Sequence, residues 1–164
     1  MLRITRQTDY GIVLLARFAS LPPGTVRNAK DLAAEEGLPA PMASKILKLL
    51  GRSGLLASHR GATGGYSLAR PAREISVADI IAALEGPIAL TECLGAQERG
   101  CAISASCPTR PNWARINQAI AGALAGVHLD EMLPGAGLAS ASLASSSAAS
   151  PHLHAVQALP AREA

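Results

Sequence analysis

The three cysteines are the residues of this chain whose type and spacing could do chemistry. Cys93, Cys101 and Cys107 are the only cysteines among 164 residues, and seven and then five residues separate them. Thiolates are soft ligands that suit zinc and iron–sulfur clusters, and neighbouring thiols can also be oxidised to a disulfide. Gly95, Gly100 and two serines lie between them, which is typical of a loop. The stretch therefore predicts a flexible loop that holds a metal site or a thiol switch.

The spacing of the cysteines leaves more than one of these chemistries open. Structural zinc sites usually need four ligands, with cysteines paired at a separation of about two to four residues. The gaps here are longer, and the loop contains no histidine. An iron–sulfur cluster can accept a ligand other than cysteine at one iron, so a further residue could complete a three-cysteine site. A cluster, a metal-free thiol switch and a zinc site all remain compatible with the spacing.

Charge is distributed unevenly along the chain. Residues 1–73 contain eleven Lys and Arg against four Asp and Glu, whereas residues 74–164 contain four against eight. A basic first half and an acidic second half predict a polyanionic partner for the first half only. The composition is 49% hydrophobic but only 2% aromatic, which predicts an aliphatic core.

The sequence also predicts the compartment and argues against an enzyme. No apolar run approaches the roughly 20 residues that a membrane span needs. The N-terminus, MLRITRQTDYG, has neither the apolar region nor the cleavage site of a secretory signal. An odd number of cysteines argues against a disulfide framework. We therefore expect a cytoplasmic protein with no membrane partner, and no carboxylate pair, nucleophile–base set or phosphate loop indicates catalysis.

Three helices are predicted in the first 53 residues. Apolar spacing and capping residues predict helices over 8–21, with Thr8 as N-cap, over 28–36, which opens with the capping pattern of Asn28 and Asp31, and over about 40–53. In the third helix the apolar stripe is predicted to be Met42, Ile46, Leu49 and Leu50. Three basic residues recur on the opposite face at i, i+3 and i+7, namely Lys45, Lys48 and Arg52. Like charges repel one another unless an anion lies opposite, so the pattern favours contact with DNA over a solvated face.

A β-hairpin is predicted directly after the third helix. Residues 55–58 and 66–69 have the composition of short strands, and the loop 59–65 between them contains Arg60 and three glycines. The second and third helices are joined by a short turn that contains Gly37, which predicts a helix-turn-helix. A hairpin attached to it forms a wing, whose glycines allow close approach to a minor groove or phosphate. The predicted fold is mainly α with a small β-hairpin wing.

Two further helices and a tail are predicted beyond the wing. Ser76 and Asp79 cap a helix within SVADIIAALEG, and a helix over 112–126 follows the cysteine loop. Its apolar stripe, Trp113, Ile116, Ile120 and Leu124, predicts a long dimerisation helix, and packing of the stripe on its own domain is the alternative. Residues 134–164 are rich in Ala, Ser, Gly and Pro, which predicts a disordered tail. The expected organisation is a DNA-binding domain over 1–73, a cysteine loop with dimerisation helix over 74–133, and the tail.

Several of these segments together resemble the IscR/NsrR family of winged-helix iron–sulfur regulators over about residues 1–133. The resemblance is carried by LRITRQTDYGIVLLARFA, RGATGGYSLAR, ISVADIIAALEG and a CX7CX5C motif followed by a Trp-containing helix. TDYGIVLL, SHRGATGGYSLARP and EGPIALTEC are more similar to the branch that regulates the SUF iron–sulfur assembly system. The resemblance implies a homodimeric repressor that binds double-stranded operator DNA and senses a 2Fe–2S or, alternatively, a 4Fe–4S cluster.

The resemblance also implies a ligand set. Cys93, Cys101 and Cys107 match the cysteines that hold the cluster in the family. IscR-like members have a histidine ligand three positions after the last cysteine, where this chain has Arg110, which cannot ligate iron. NsrR-like members use an aspartate from the other subunit, and Asp9 stands at the matching position. Asp9 has an equally good structural explanation, since an acidic residue in a first helical turn stabilises the helix dipole.

The expected DNA contacts follow from the third helix, the wing and the first helix. They are Ser44, Lys45, Lys48, Arg52, Arg60, Gly64 and Arg6. Ser44 replaces an acidic residue of the IscR-like recognition helix, which argues against a two-motif specificity switch. Two alternatives remain: a repressor with a metal-free thiol switch, and a small iron–sulfur electron-transfer or cluster-delivery protein, which would need neither the basic helix nor the wing.

Overall fold

The structure is a computed structural model, and it describes residues 4–61, 64–94, 103 and 106–133. Five α-helices and one hairpin account for most of these residues. The helices are α1 (Arg6–Ala19), α2 (Ala29–Glu35), α3 (Ala40–Arg52), α4 (Val77–Glu85) and α5 (Arg110–Ala125), and the strands are β1 (Leu56–His59) and β2 (Gly65–Leu68). Short 3-10 turns span Ala72–Glu74, Glu92–Leu94 and Leu129–Met132. The predicted fold class, mainly α with a β-hairpin, is confirmed.

Capping residues start the helices, and one of the predicted caps is wrong. The Asn28 side chain accepts from the Asp31 amide at 2.9 Å, as the sequence predicted for α2. The capping box of α4 also forms, with both Ser76–Asp79 hydrogen bonds at 3.1 Å. Helix α1, however, begins earlier than predicted, and its N-cap is Thr5 rather than Thr8. Thr8 is fully buried inside the helix and donates its hydroxyl proton to Glu85, so a tertiary contact determines its role.

The aliphatic core joins α1, α2, α3 and α4. Its fully buried members include Leu14, Leu15, Leu32, Ile46, Leu47, Leu50, Ile75, Ile80 and Leu129. In α3 the buried residues are Ala43, Ile46, Leu47 and Leu50, so the predicted stripe is only half right. Met42 and Leu49 are partly buried at its edge, because α1 and α4 pack on a face of α3 that is turned towards Ala43 and Leu47. The opposite face of α3, which carries Lys45 and Lys48, is exposed to solvent.

The hairpin has a third backbone neighbour that the sequence analysis missed. The register of β1 and β2 runs from Leu56 opposite Leu68 to His59 opposite Gly65. On its other side, Tyr66 exchanges two backbone hydrogen bonds with Arg27, at 2.9 Å and 2.8 Å. A Cβ on Gly65 would lie 2.4 Å from the Arg27 carbonyl oxygen, so this close approach requires glycine. The wing is therefore anchored to the segment that precedes α2.

The chain after α5 returns to the core. Ser76 and His128 form an antiparallel bridge, and the Leu129 amide donates to the Ile75 carbonyl at 2.9 Å. Leu129 itself is fully buried in the core cluster, and the turn that contains it packs against α1. None of the residues of α5 is buried in the single chain. Among the described residues, no helix has the length and apolar character to cross a membrane.

Candidate functional site

The basic residues of α3 lie together on its exposed face. Lys45, Lys48 and Arg52 are all exposed. Among the described residues, none of the three forms an ion pair, whereas Arg17 and Arg27 both pair with Glu35. Three unpaired cations along one helical face create a positive potential that an extended polyanion can neutralise. This geometry matches the one that the sequence predicted.

The wing places Arg60 beyond the end of β1. Arg60 is exposed, and the neighbouring His59 ring lies 2.9 Å from the buried Ser67 hydroxyl, which fixes the end of the strand. The Gly64 amide donates to the Gly61 carbonyl at 3.0 Å and closes the turn. A Cβ on Gly64 would lie 2.5 Å from the His59 carbonyl oxygen, so the turn requires glycine here. Residues 62 and 63 lie outside the described part of the chain.

The two remaining predicted DNA contacts differ in their surroundings. Ser44 lies half-buried on α3, next to the exposed Lys45. Arg6 is exposed at the start of α1, where its neighbour Gln7 donates its side-chain amide to the Leu84 carbonyl at 2.8 Å. Arg6 is therefore positioned by the α1–α4 contact, and among the described residues no hydrogen bond or ion pair joins it to α3 or the wing.

The two cysteines that the structure describes have different environments. Cys93 is buried, and its sulfur lies 3.2 Å from the Thr91 hydroxyl oxygen. Cys107 is half-buried just before α5, with its sulfur 3.3 Å from the Thr109 hydroxyl oxygen. The hydrogen bond from Thr109, backbone N–H groups at the start of α5 and the charge of Arg110 lower the pKa of Cys107. The thiolate is the form that binds metals and attacks disulfides, so this environment favours both chemistries.

The predicted ligands do not form a complete site within the described residues. Cys101 lies outside these residues. Among those that are described, no group of three or more His, Cys, Asp or Glu side chains could hold a metal ion. Asp9 is exposed in the first turn of α1 and is not grouped with Cys93 and Cys107 in one chain. The donor chemistry of the two thiols nevertheless fits a cluster, because both are unpaired and one favours its thiolate form.

Asn117 is a structural residue that the sequence analysis missed. Its side-chain oxygen accepts from the Leu90 amide, and its side-chain nitrogen donates to the Ile88 carbonyl, both at 3.0 Å. These two bonds hold the segment before Cys93 against α5, the helix that follows Cys107. The sequence feature that could have indicated this role is the position of the Asn117 amide side chain between Ile116 and Ile120, within the apolar pattern of α5.

Glu85 is a second residue that the sequence did not single out. It accepts hydrogen bonds from the Thr8 hydroxyl and from both the amide and the hydroxyl of Thr5, the last two at 3.2 Å and 3.0 Å. These bonds, led by that from Thr8, lower the pKa of Glu85. They attach the start of α1, which carries Asp9, to the end of α4. An open cleft of about 430 Å³ adjoins Glu85 and reaches Ile120 and Leu124 of α5.

The fold and the basic surface define a class of protein. A helix-turn-helix with an attached hairpin, whose second helix presents unpaired cations, is a winged-helix DNA-binding module. Residues 4–135 match the Rrf2 family, described as "Iron-dependent Transcriptional regulator". The chain belongs to the Rrf2 family, whose members are transcriptional regulators that bind DNA and typically dimerise.

Individual relatives support the same class. An HTH-type transcriptional regulator of Mycobacterium tuberculosis is 38% identical over 94 residues, which are 57% of this chain and 58% of that relative, less than two thirds of its length. The structure of CymR, the global cysteine regulator of B. subtilis, aligns with a TM-score of 0.62 and 28% identity, covering 84% of this chain and 98% of CymR. IscR of T. potens aligns with a TM-score of 0.57 and 26% identity, covering 90% and 94%. These relatives are regulators rather than enzymes.

Proposed function

We propose that this protein is a homodimeric, cytoplasmic repressor of iron–sulfur assembly genes that senses an iron–sulfur cluster. One observation carries the proposal: an unpaired basic surface and two differently placed free thiols occur in one Rrf2 chain. The likeness to T. potens IscR and to the SUF-regulator segments supports control of iron–sulfur assembly. Residues 1–73 would bind DNA, and residues 74–133 would hold the cluster and the dimer interface.

DNA binding is assigned to α3 and the wing. Lys45, Lys48 and Arg52 would neutralise phosphates or read base edges in a major groove, with Ser44 at the start of that surface. Arg60 would contact a phosphate or an adjacent minor groove, and Gly64 would allow the wing to approach closely. Arg6 would add a contact only where the dimer brings α1 near the duplex.

The dimer is assigned to α5. Trp113 is 42% exposed and Ile116 is 45% exposed, although both are large apolar residues on one face of a 16-residue helix. Burying such a face stabilises an oligomer, because about 25 cal/mol is gained for each Å² of apolar surface removed from water. A second copy of α5 would cover both residues. The two-fold symmetry of the dimer would then give two DNA-binding surfaces, one in each subunit.

The cluster would be held by Cys93, Cys101 and Cys107, with Asp9 of the second subunit as the fourth ligand. A 2Fe–2S cluster is the first expectation, and a 4Fe–4S cluster is the alternative. When bound, the cluster supplies a site that iron supply, oxidants or nitric oxide can alter. The chain supplies the link to DNA, because Asn117 ties the cysteine segment to α5 and Glu85 ties α4 to the start of α1.

Two measurements test this function. Protein purified and reconstituted without oxygen should contain iron and acid-labile sulfide and show a visible charge-transfer spectrum. Asp9→Ala should then weaken cluster retention more than Arg110→Ala does, and equal effects would remove Asp9 from the ligand set.

For DNA, Lys48→Ala should weaken binding to a duplex that the wild-type protein has selected from a randomised library. It should also reduce the slope of the logarithm of the binding constant against the logarithm of the salt concentration by about one unit. An unchanged slope would contradict a phosphate contact.

A metal-free thiol switch is the second candidate, and two observations favour it. The pKa of Cys107 is lowered at the start of α5, which increases thiolate reactivity. CymR of Staphylococcus aureus, a structural relative, has a solved structure that is named as its oxidized form. This function predicts a colourless protein without iron or sulfide even after reconstitution. It also predicts that a mild oxidant changes DNA affinity in wild-type protein but not in Cys107→Ser.

A further inference from the structure

Three charged residues from separate elements meet beside the hairpin. Arg27 precedes α2 and donates to Glu35 near the end of α2, while the Arg17 guanidinium of α1 donates to the other carboxylate oxygen at 3.2 Å. The two arginines, Arg27 first, lower the pKa of Glu35. We call Arg17, Arg27 and Glu35 the Arg27 clasp.

The backbone of Arg27 also pairs with the wing. It exchanges two hydrogen bonds with Tyr66 of β2, and Gly65 allows the two backbones to approach. The Tyr66 ring in turn lies against α3, where a Cβ on Gly51 would be 3.4 Å from the ring. The side chain of Arg27 thus ties the wing to α1 and α2, and its backbone partner contacts α3.

The hairpin needs such an anchor. Each of its strands has four residues, and an isolated two-stranded hairpin is only marginally stable in water. If the angle between the wing and α3 varies, only some of the orientations let both surfaces contact one duplex. Any element that restricts this angle raises the fraction of molecules that can bind DNA with both surfaces.

We propose that the Arg27 clasp positions the wing relative to α3, so that Arg60 and Lys48 contact one duplex together. Arg27 and Glu35 are positioning residues in this scheme and make no DNA contact themselves. The inference rests on the proposed DNA-binding function and adds a determinant of operator geometry to it.

The clasp predicts that neutralising Glu35 changes the affinity for DNA in the direction opposite to the one that electrostatics alone predicts. Glu35 is acidic and lies in the basic half of the chain, so its neutralisation alone should strengthen the attraction for DNA. If Glu35 holds the wing in place, its loss should weaken binding. Exposed ion pairs are individually weak, so the expected increase in Kd is about two- to fivefold.

The experiment measures Kd by fluorescence anisotropy on a labelled duplex that the wild-type protein has selected from a randomised library. Glu35→Gln should raise Kd by about two- to fivefold. The matched control is Glu74→Gln, which removes an exposed carboxylate whose only described ion pair is with its neighbour Arg73. It should leave Kd unchanged or slightly lower. Arg27→Lys keeps the charge but loses the planar fork, so it should weaken binding as well if the clasp is correct.

Double-mutant cycles distinguish positioning of the wing from a general loss of stability. Glu35→Gln should have no further effect in an Arg60→Ala background, since the wing contact is then already lost, but should be additive with Lys48→Ala. Unchanged or tighter binding by Glu35→Gln and Arg27→Lys, or additivity with both backgrounds, would overturn the clasp. If the wild-type protein selects no duplex, the proposed DNA-binding function is rejected, and the inference with it.

Discussion

Replacement of Gly65 by alanine should destabilise the protein through the wing anchor. The new Cβ would lie 2.4 Å from the carbonyl oxygen and 2.6 Å from the carbonyl carbon of Arg27. Both atoms belong to the backbone, so the clash is relieved only if the two segments separate. Separation would break the Arg27–Tyr66 hydrogen bonds, which measure 2.9 Å and 2.8 Å.

The size of the effect follows from these two bonds. A backbone hydrogen bond contributes a net of about 0.5–1.5 kcal/mol, so losing two costs roughly 1–3 kcal/mol. Alanine also reduces the entropy of the unfolded chain, which offsets about 0.4–1 kcal/mol of that loss. With the middle of each range, we expect the free energy of unfolding of Gly65→Ala to fall by roughly 1.3 kcal/mol.

Urea unfolding followed by far-UV circular dichroism measures this change, with all proteins at one concentration because a dimer unfolds in a concentration-dependent way. The urea concentration at the midpoint of unfolding should fall, while the dependence of the unfolding free energy on urea concentration stays constant. Gly51→Ala is the matched control, since its Cβ would lie 3.4 Å from the Tyr66 ring and 3.9 Å from the Leu56 carbonyl oxygen, both ordinary van der Waals distances. Alanine is favoured over glycine inside a helix by about 0.8–1.0 kcal/mol, so this variant should be no less stable than wild type. A wild-type midpoint for Gly65→Ala, or an equal loss for Gly51→Ala, would refute the reasoning.

Three further predictions concern the dimer, pH and the thiols. Ile116→Glu should convert the protein to a monomer in sedimentation experiments, because it places a charge on the exposed apolar face of α5, whereas Gln118→Glu should leave the dimer intact. The pKa of Glu85 is lowered on folding, so its contribution to stability is complete above its ordinary value of 4.5 and is lost as pH falls through the folded pKa. The stability difference between wild type and Glu85→Gln should accordingly shrink on acidification, and a pH-independent difference would contradict this. In reduced, metal-free protein, iodoacetamide should modify Cys107 faster than the buried Cys93, as mass spectrometry of peptides can show.

Local signals predicted the helices and the basic surface well. The i, i+3, i+7 spacing of Lys45, Lys48 and Arg52 is sufficient to place them on one face, because helical geometry depends on sequence separation alone. Asn28 and Ser76 were predictable as caps for the same reason, since each bonds an amide three residues away. Both strands of the wing were predicted one residue away from their observed bounds, at 55–58 instead of Leu56–His59 and at 66–69 instead of Gly65–Leu68, because strand boundaries depend on pairing partners.

Predictions that depended on distant partners were wrong or could not be made. Thr8 has the residue type of an N-cap, but its hydroxyl binds Glu85, 77 residues away in the chain. The roles of Asn117 and Arg27 depend equally on segments that sequence spacing does not relate to them. Asp9 and the cysteines remain a proposed ligand set, because its completion depends on a second subunit.

The sequence by itself determined the class of protein, because the basic helix and the glycine-rich hairpin are recognisable in short segments and the family match extends over residues 4–135. Only the tertiary structure decided how those segments are joined. Arg27 anchors the wing, Glu85 attaches the start of α1 to α4, and Asn117 holds the segment before Cys93 against α5. Each of these contacts is formed between residues that are far apart in the chain. Their free energy arises from burial and hydrogen bonding in three dimensions, which no local pattern of residues records.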